Sequence, residues 1–246
     1  MRTYLLFRLY GPMAAWGDIA VGEQRPSLSQ PSKSAVLGLV AAALGLERDD
    51  EAAHAALAEH YAMAVCVDAP GELLRDYHTT QVPPARKGVR YATRRDELLA
   101  DKLSTILSQR DYRMDAACRV ALWPCSDAAP YTLETLAEAL EKPRFVLYLG
   151  RKACPPALPL APRCVEAPSL CALFSTTEPT QALPPELKPD AEPMVFWELL
   201  DVDEAGFPAD ALKMEYTRHD RLLSRHRWQF GERRELAAGL PREDIS

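Results

Sequence analysis

The chain has 246 residues, 48% of them hydrophobic, and a formal net charge of −6. That length allows one large domain or two small ones around a substantial core. The negative total, taken alone, argues against nucleic acid as a partner. The longest apolar run, Ala35 to Leu46, is too short for a membrane span of about 18–20 residues.

Thr3 to Tyr10 is predicted as a strand, bounded by Gly11-Pro12. Arg8 interrupts its apolar run after Tyr4 to Phe7, and no small-residue cleavage site follows, which argues against a signal peptide. A polar loop then carries Arg25, Ser27, Ser29, Gln30, Ser32, Lys33 and Ser34 into a helix whose apolar positions are Val36, Leu37, Val40, Ala43 and Leu44. Ser32 or Ser34 is the expected N-cap, and Gly45 is placed to end the helix. Hydroxyls and a lysine before a helix N-terminus suit an anion such as a phosphate. A second, more polar helix is predicted over Asp50 to His60, a buried strand over Tyr61 to Asp68, and a further strand over Glu72 to Thr79.

Thr80 to Arg113 is polar and basic, with a short helix expected around Leu98 to Leu107. A structureless stretch of that length is uncommon in a compact domain, so a protruding hairpin or arm is expected. Cys118 to Pro124 returns as a strand, and Thr132 is a plausible N-cap for a helix to Lys142 with Leu133, Leu136, Ala137 and Leu140 on its buried face. Phe145 to Leu149 is predicted as the closing strand. The order is that of the split βαβ, ferredoxin-like fold with an insertion between its central strands. The expected division is a palm over 1–153, including an insertion at 80–113, followed by a Pro-rich connector and a β-rich region over 154–246 packed on the palm. In that second part, Pro155, Pro156, Pro159, Pro162, Pro168, Pro179, Pro184, Pro185 and Pro189 suppress regular structure, and strands are expected at Val195 to Val202 and Met214 to Arg218.

The charges are segregated. Arg86, Lys87, Arg90, Arg94 and Arg95 form a basic run without an acid, and Lys142, Arg144, Arg151, Lys152 and Arg163 form another. Glu178 to Glu204 holds eight acids against Lys188 alone. A local basic surface attracts phosphates even on an acidic protein, because screening limits distant charges to about 8–10 Å. A solvated face is the other reading of each run. The six cysteines show no CxxC pair and no zinc-ligand spacing, so no metal is expected and a reduced cytosolic setting fits. No Walker motif, dinucleotide fingerprint, HExxH or GxSxG occurs.

Tyr77-His78, with Arg75 and Lys87, is a candidate constellation for metal-independent RNA cleavage. Its alternative is that His78 binds RNA or braces the arm. Trp16 and Trp228 are candidates to stack on a base or to be ordinary half-buried residues. Arg218 to Arg234 carries six arginines and two histidines against two acids, and Trp228 and Phe230 suggest that it is docked.

Several segments together resemble the CasD family, the subunit of the type I-E CRISPR surveillance complex (Cascade) that holds the 5′ handle of the CRISPR RNA. They are MRTYLLFRLYGPMAAWG at the start, RPSLSQPSKSAVLGLVAAALGLERDD after it, LRDYHT at Leu74 to Thr79, RVALWP from Arg119, LEKPRFVLYLGRKACP at Leu140 to Pro155, and the WQFGERRE ending. The likeness covers most of the chain in the same order; the middle insertion and Thr176 to Pro208 match poorly. It implies a RAMP-type α+β palm with an inserted thumb, and a non-catalytic RNA-binding role without cofactor or metal. The implied contacts are Trp16, Arg25, Ser32, Lys33 and Ser34 in the palm, Tyr77, His78 and Thr79 at the thumb base, and Arg86, Lys87, Arg90, Arg94 and Arg95 on the thumb. Arg151 and Lys152 would add electrostatic support. The family's threonine-arginine-serine-glycine step at the helix start is Ser32-Lys33-Ser34-Ala35 here, which keeps the cation without its bidentate geometry. Implied partners are the crRNA handle, CasC-type backbone subunits, a CasA-type large subunit and, through the assembly, target DNA, in the cytoplasm and away from membranes. In type I-E systems a separate subunit, CasE, cuts the guide precursor, whereas CasD relatives of type I-C systems cut it themselves. A metal-independent endoribonuclease that processes CRISPR repeat RNA is therefore the alternative.

Overall fold

The computed structural model describes residues 1–177, 184, 187, 190 and 192–241. Pro179, Pro185 and Pro189, and with them part of the acidic run after Glu178, lie outside the described residues.

Chain order begins with β1 (Arg2–Tyr10) and two short bridging strands, β2 (Met13–Ala14) and β3 (Gln24–Arg25), followed by α1 (Lys33–Leu44) and α2 (Glu51–His60). Then come β4 (Tyr61–Ala69), β5 (Glu72–Val82), α3 (Arg94–Leu98), β6 (Ser104–Met114), β7 (Ala117–Pro124) and α4 (Leu133–Glu141). The remainder is β8 (Arg163–Ala167), α5 (Leu170–Thr176), β9 (Met194–Trp197), β10 (Leu212–Ser224) and β11 (Gln229–Gly239). The helix signals hold where they are local. Ser32 accepts from the Ala35 amide, Asp50 from Ala53 and Thr132 from Thr135, and Gly45 closes α1 in the left-handed conformation.

A seven-stranded sheet has the order β10-β11-β9-β4-β7-β1-β8. Every pairing in it is antiparallel. Since β1 and β4 both run against β7, they are parallel to each other with β7 between them. Alternation along β1 sends Leu5, Phe7 and Leu9 to one core, under α1 and α4, and Tyr4 and Leu6 to another, against α5. Central β4 is covered on both faces and all nine of its residues are buried, which is why its text is continuously apolar.

Three expectations are corrected. Residues 145–149 form no strand. The amides of Arg144 and Phe145 donate to the last carbonyls of α1, Ala43 and Ala42, and the Leu149 carbonyl accepts from Ala15. The place beside β1 is taken by β8, so the sheet runs across residue 153, and β9 to β11 extend the same sheet. Second, no helix spans 98–107: Thr93 and Asp96 form a capping box that starts α3 earlier, and β6 begins at Ser104. Leu107 and Ile106 sit opposite Thr79 and Thr80, so cross-strand pairing overrides their helical spacing. Third, the predicted strand at 195–202 stops at Trp197, where Leu199 takes a left-handed backbone with φ of 64°.

The basic insertion is an arm, and it is longer than 80–113. β5 and β6 pair without a break from Glu72 opposite Met114 to Val82 opposite Ser104. Gly71 makes the junction with β4: its φ is +64°, and a Cβ there would lie 2.3 Å from the Met114 carbonyl oxygen. Gly71→Ala is expected to cost about 1–3 kcal/mol. For a protein of this size that is roughly 2–4 °C of Tm per kcal/mol in a thermal melt.

Candidate nucleic-acid interface

The N-terminus of α1, expected to face an external anion, is closed by the protein itself. The Lys33 amide donates to Asp220 Oδ2 at 2.7 Å, so a carboxylate from β10 occupies the position that a phosphate would take. Lys33 Nζ stands 2.7 Å from Glu198 Oε1, and both side chains are buried. Arg233 holds Asp220 through bonds of 2.8 and 2.9 Å and donates to Glu235 at 2.7 Å. Gln30 Nε2 donates to the Glu235 carboxylate at 3.4 Å, and Arg218 lies 3.7 Å from it. Burial pushes the Asp220 carboxyl up, but the Arg233 guanidinium and the Lys33 amide outweigh it and hold the group below its ordinary value. Lys33 and Ser32 are therefore structural: one is an internal counterion and the other an N-cap. Trp16 is corrected in the same way, because it is 3% exposed in the core and offers no face to a base.

The other palm residues do converge. A cavity of about 370 Å³ is lined by Arg25, Ser34 and Arg151 together with Tyr148, Arg225 and Trp228. Arg25 is exposed on β3 and donates to the carbonyls of Gly22 and Gln24. Arg151 donates to the Asp111 carbonyl at 3.0 Å and the Arg25 carbonyl at 3.2 Å, with its guanidinium 4.6 Å from the Tyr112 ring centroid. It braces the 145–154 segment against the arm root. Gly150 permits this approach, since its φ is +84° and a Cβ would sit 1.8 Å from the Ala15 carbonyl oxygen. Lys152 is exposed beside it.

On the arm, Tyr77, His78 and Thr79 pair with Gln109, Ser108 and Leu107 of β6. The other edge of β6 holds Gln24 and Arg25, paired with Gln109 and Arg110, so the middle of the arm and the palm loop form one surface. Tyr77 is 61% exposed and available to a partner. The catalytic constellation is not assembled. Arg75 is engaged by Asp111 through bonds of 2.8 and 3.1 Å, and alternation puts it on the face of β5 opposite His78. His78 Nδ1 lies 3.6 Å from Asp76, while Lys87 belongs to the loop beyond the end of β5. That loop and the start of α3 expose Arg86, Lys87, Arg90, Arg94 and Arg95. Arg94 is paired with Glu97 and also donates to the Gln81 carbonyl. The side chains of the other four have no ion-pair partner among the described residues. Arg225 and Arg48 carry no local mark of a role in the sequence; only the arginine-rich composition near Trp228 points toward the first of them. Among the described residues no group of three His, Cys, Asp or Glu side chains could hold a metal, and no helix is long and apolar enough to cross a membrane.

Fold and surface define a mixed α/β protein with antiparallel sheets and a basic two-stranded arm. Residues 4–235 match the family model described as CRISPR-associated protein (Cas_Cas5), and the chain belongs to that family. It is 39% identical over 171 residues to the CRISPR system Cascade subunit CasD of Escherichia coli (strain K12), covering 65% of this chain and 70% of that protein. Among solved structures it is similar to a chain of a CRISPR RNA-guided surveillance complex, with a TM-score of 0.63, 26% identity, and coverage of 96% of this chain and 90% of that one. A second, titled as the crystal structure of a Cas protein, gives a TM-score of 0.62 at 27% identity and covers 97% and 95% of the two chains.

Because folding lowers the Asp220 value from an ordinary 3.8, its stabilising contribution is complete above that pH and is lost as pH falls toward the folded value. Urea unfolding between about pH 5 and pH 2 should show this loss, and Asp220→Asn should flatten it. Glu198→Gln, which strands the Lys33 charge, should cost about 3–5 kcal/mol, and the double variant with Lys33→Met should recover part of that.

Proposed function

We propose that this chain is the subunit of a CRISPR surveillance complex that grips the 5′ handle of the guide RNA by binding it without cutting. The observation that carries this reading is the arm. Four exposed cations without ion-pair partners among the described residues (Arg86, Lys87, Arg90, Arg95) stand beyond a hairpin whose middle is continuous with Arg25 of the palm loop. Free guanidinium and ammonium groups at the end of a stiff arm bind phosphates by releasing counterions, without sequence readout of their own. The strand order β4-β7-β1-β8 with β1 parallel to β4 supports reading the palm as ferredoxin-like, of the RAMP type, with β5 and β6 as its thumb. The family membership and the likeness to CasD support a place in a Cascade assembly. There the subunit would cap one end of a backbone of CasC-type subunits and contact a CasA-type large subunit. Target DNA is met only through the assembly, and the setting is the cytoplasm, where guide RNA is made.

Binding is favoured over catalysis because the groups a metal-independent nuclease needs are apart. Arg75 is consumed by Asp111 on the face away from His78, and Lys33 is buried against Glu198. The cation on the face of His78 is Arg110, whose Nε is bonded at 3.2 Å to Ser108, the residue opposite His78.

Replacing Arg86, Lys87, Arg90, Arg94 and Arg95 by Glu should abolish retention of handle RNA in the purified complex, read as the ratio of absorbance at 260 and 280 nm. A variant that still assembles with RNA at normal stoichiometry removes the thumb assignment. In a parallel assay the purified chain is incubated with repeat RNA in EDTA. Intact RNA is expected; specific cleavage that disappears in His78→Ala would replace binding by catalysis.

A further inference from the structure

Two of the three buried side-chain nitrogens that lack a hydrogen-bond partner among the described residues belong to arginines of the C-terminal hairpin, Arg225 Nε and Arg233 Nη1. Buried N–H groups are nearly always paired, so an orphaned guanidinium atom on a side chain with no carboxylate beside it points to a missing acceptor. Arg233 is balanced by Glu198, Asp220 and Glu235, which leaves Arg225 as the one without a carboxylate. Arg225 lines the 370 Å³ cavity beside Arg25, whereas the second cavity, of about 510 Å³ at Arg233, is also lined by Glu59, Glu198 and Asp201. A narrow cleft between α1 and the β10–β11 hairpin, lined by Ser34, Asp220, Arg221 and Arg225, shares Ser34 and Arg225 with the first cavity, and the two make a trough.

The end of that hairpin carries a ring. Trp228 is 54% exposed, held in a left-handed backbone with φ of 55°. Two guanidinium groups flank it, Arg225 at 4.4 Å and Arg48 at 4.9 Å from the ring centroid. Neither has an acidic ion-pair partner among the described residues. Glu51, the nearby acid on α2, is engaged by the His226 amide at 2.7 Å, and Asp18 is the acid that lines the cavity. Burial and the Arg48 charge push the Arg225 pKa down, which is the cost that a bound anion would relieve. Tyr148, also partly exposed, lines the same cavity as Trp228.

We infer that the C-terminal hairpin is a second grip on single-stranded RNA, in which a base stacks on Trp228 while neighbouring phosphates lie on Arg225 and, along the trough, on Arg221. This rests on the RNA-binding reading above and extends it to an element far along the chain from the arm. Guanidinium groups without carboxylate partners call for an anion, and open aromatic faces call for a flat π-system. RNA supplies both, whereas an acidic peptide supplies only the first.

Trp16, Trp123 and Trp197 are at most 3% exposed, so Trp228 alone should report to acrylamide. The test uses the full chain with a fluorescein-labelled single-stranded RNA carrying the organism's own repeat-derived 5′ end. Adding this RNA should protect wild-type tryptophan fluorescence from acrylamide, and protection should be absent in Trp228→Phe. In anisotropy titrations, Trp228→Ala should weaken binding about 5- to 100-fold, the effect expected of one stacked base. Arg221→Gln with Arg225→Gln should lower the slope of log affinity against log salt by about 0.7 for each phosphate no longer neutralised. If the arm variant fails to hold RNA while Trp228 stays unprotected and the hairpin variants bind like wild type, the second grip is wrong and the first stands. If neither arm nor hairpin variants weaken binding, both fall. Protection by poly-glutamate but not by RNA would assign the trough to an acidic protein partner and overturn the inference.

Discussion

The rest of the molecule hangs on a buried ionic cluster that ties the start of α1 to the last three strands. Lys33, Arg218 and Arg233 face Glu198, Asp220 and Glu235 with little water around them. Buried charges are tolerable only as a balanced, hydrogen-bonded set, because a single unpaired member costs several kcal/mol. The C-terminal hairpin therefore has one place to dock. Docking it there closes the anion site of α1, builds the wall of the trough, and brings Trp228 opposite the palm loop. A second buried pair serves the other face: Arg119 is held by Asp68 at 2.7 Å and donates to the carbonyls of Phe174 and Thr177, anchoring the end of α5.

The cations thus fall into two populations with opposite duties. Some are consumed: Lys33, Arg119 and Arg233 are internal counterions, Arg75 fastens the arm to its own Asp111, and Arg151 braces the arm root against the palm. Others are free, at the arm tip and along the hairpin. The division has a physical logic. A surface that grips a polyanion needs its free charges held on stiff supports, since mobile side chains on a mobile base lose entropy on binding. The long β5–β6 pairing and the Arg151 brace supply that stiffness at the root, leaving flexibility to the individual side chains at the tip.

How far the sequence is legible depends on the range of the interaction. Alternation in β1, the uninterrupted apolar text of β4, the caps at Ser32, Asp50 and Thr132, and the stop at Gly45 are all set by neighbours within a few residues, and each is observed. The arm is legible as an insertion, but not its true root at Glu72, because the β5 text is compatible with either a palm strand or an arm strand. Residues 145–149 alternate as a strand should, yet Phe145 and the preceding Arg144 turn their amides to the end of α1. Pairing partners are chosen by which edge is open, and β8 fills the edge beside β1.

By itself the sequence determined the kinds of elements, their order, and the segregation of positive charge into a few runs, one of them the insertion. Those are short-range properties of side-chain periodicity, capping and composition. Only the tertiary structure decided which charges remain available. Lys33 and Arg233 are lost to the interior ion pairs, while Arg225 and Trp228 come to stand beside Arg25, at the opposite end of the chain. A lysine before a helix carries no mark of whether its anion will be a phosphate from outside or a carboxylate from the far end of the chain. That choice belongs to the packing of the sheet, which delivers Asp220 and Glu198 to the helix start and leaves the cations of the arm exposed.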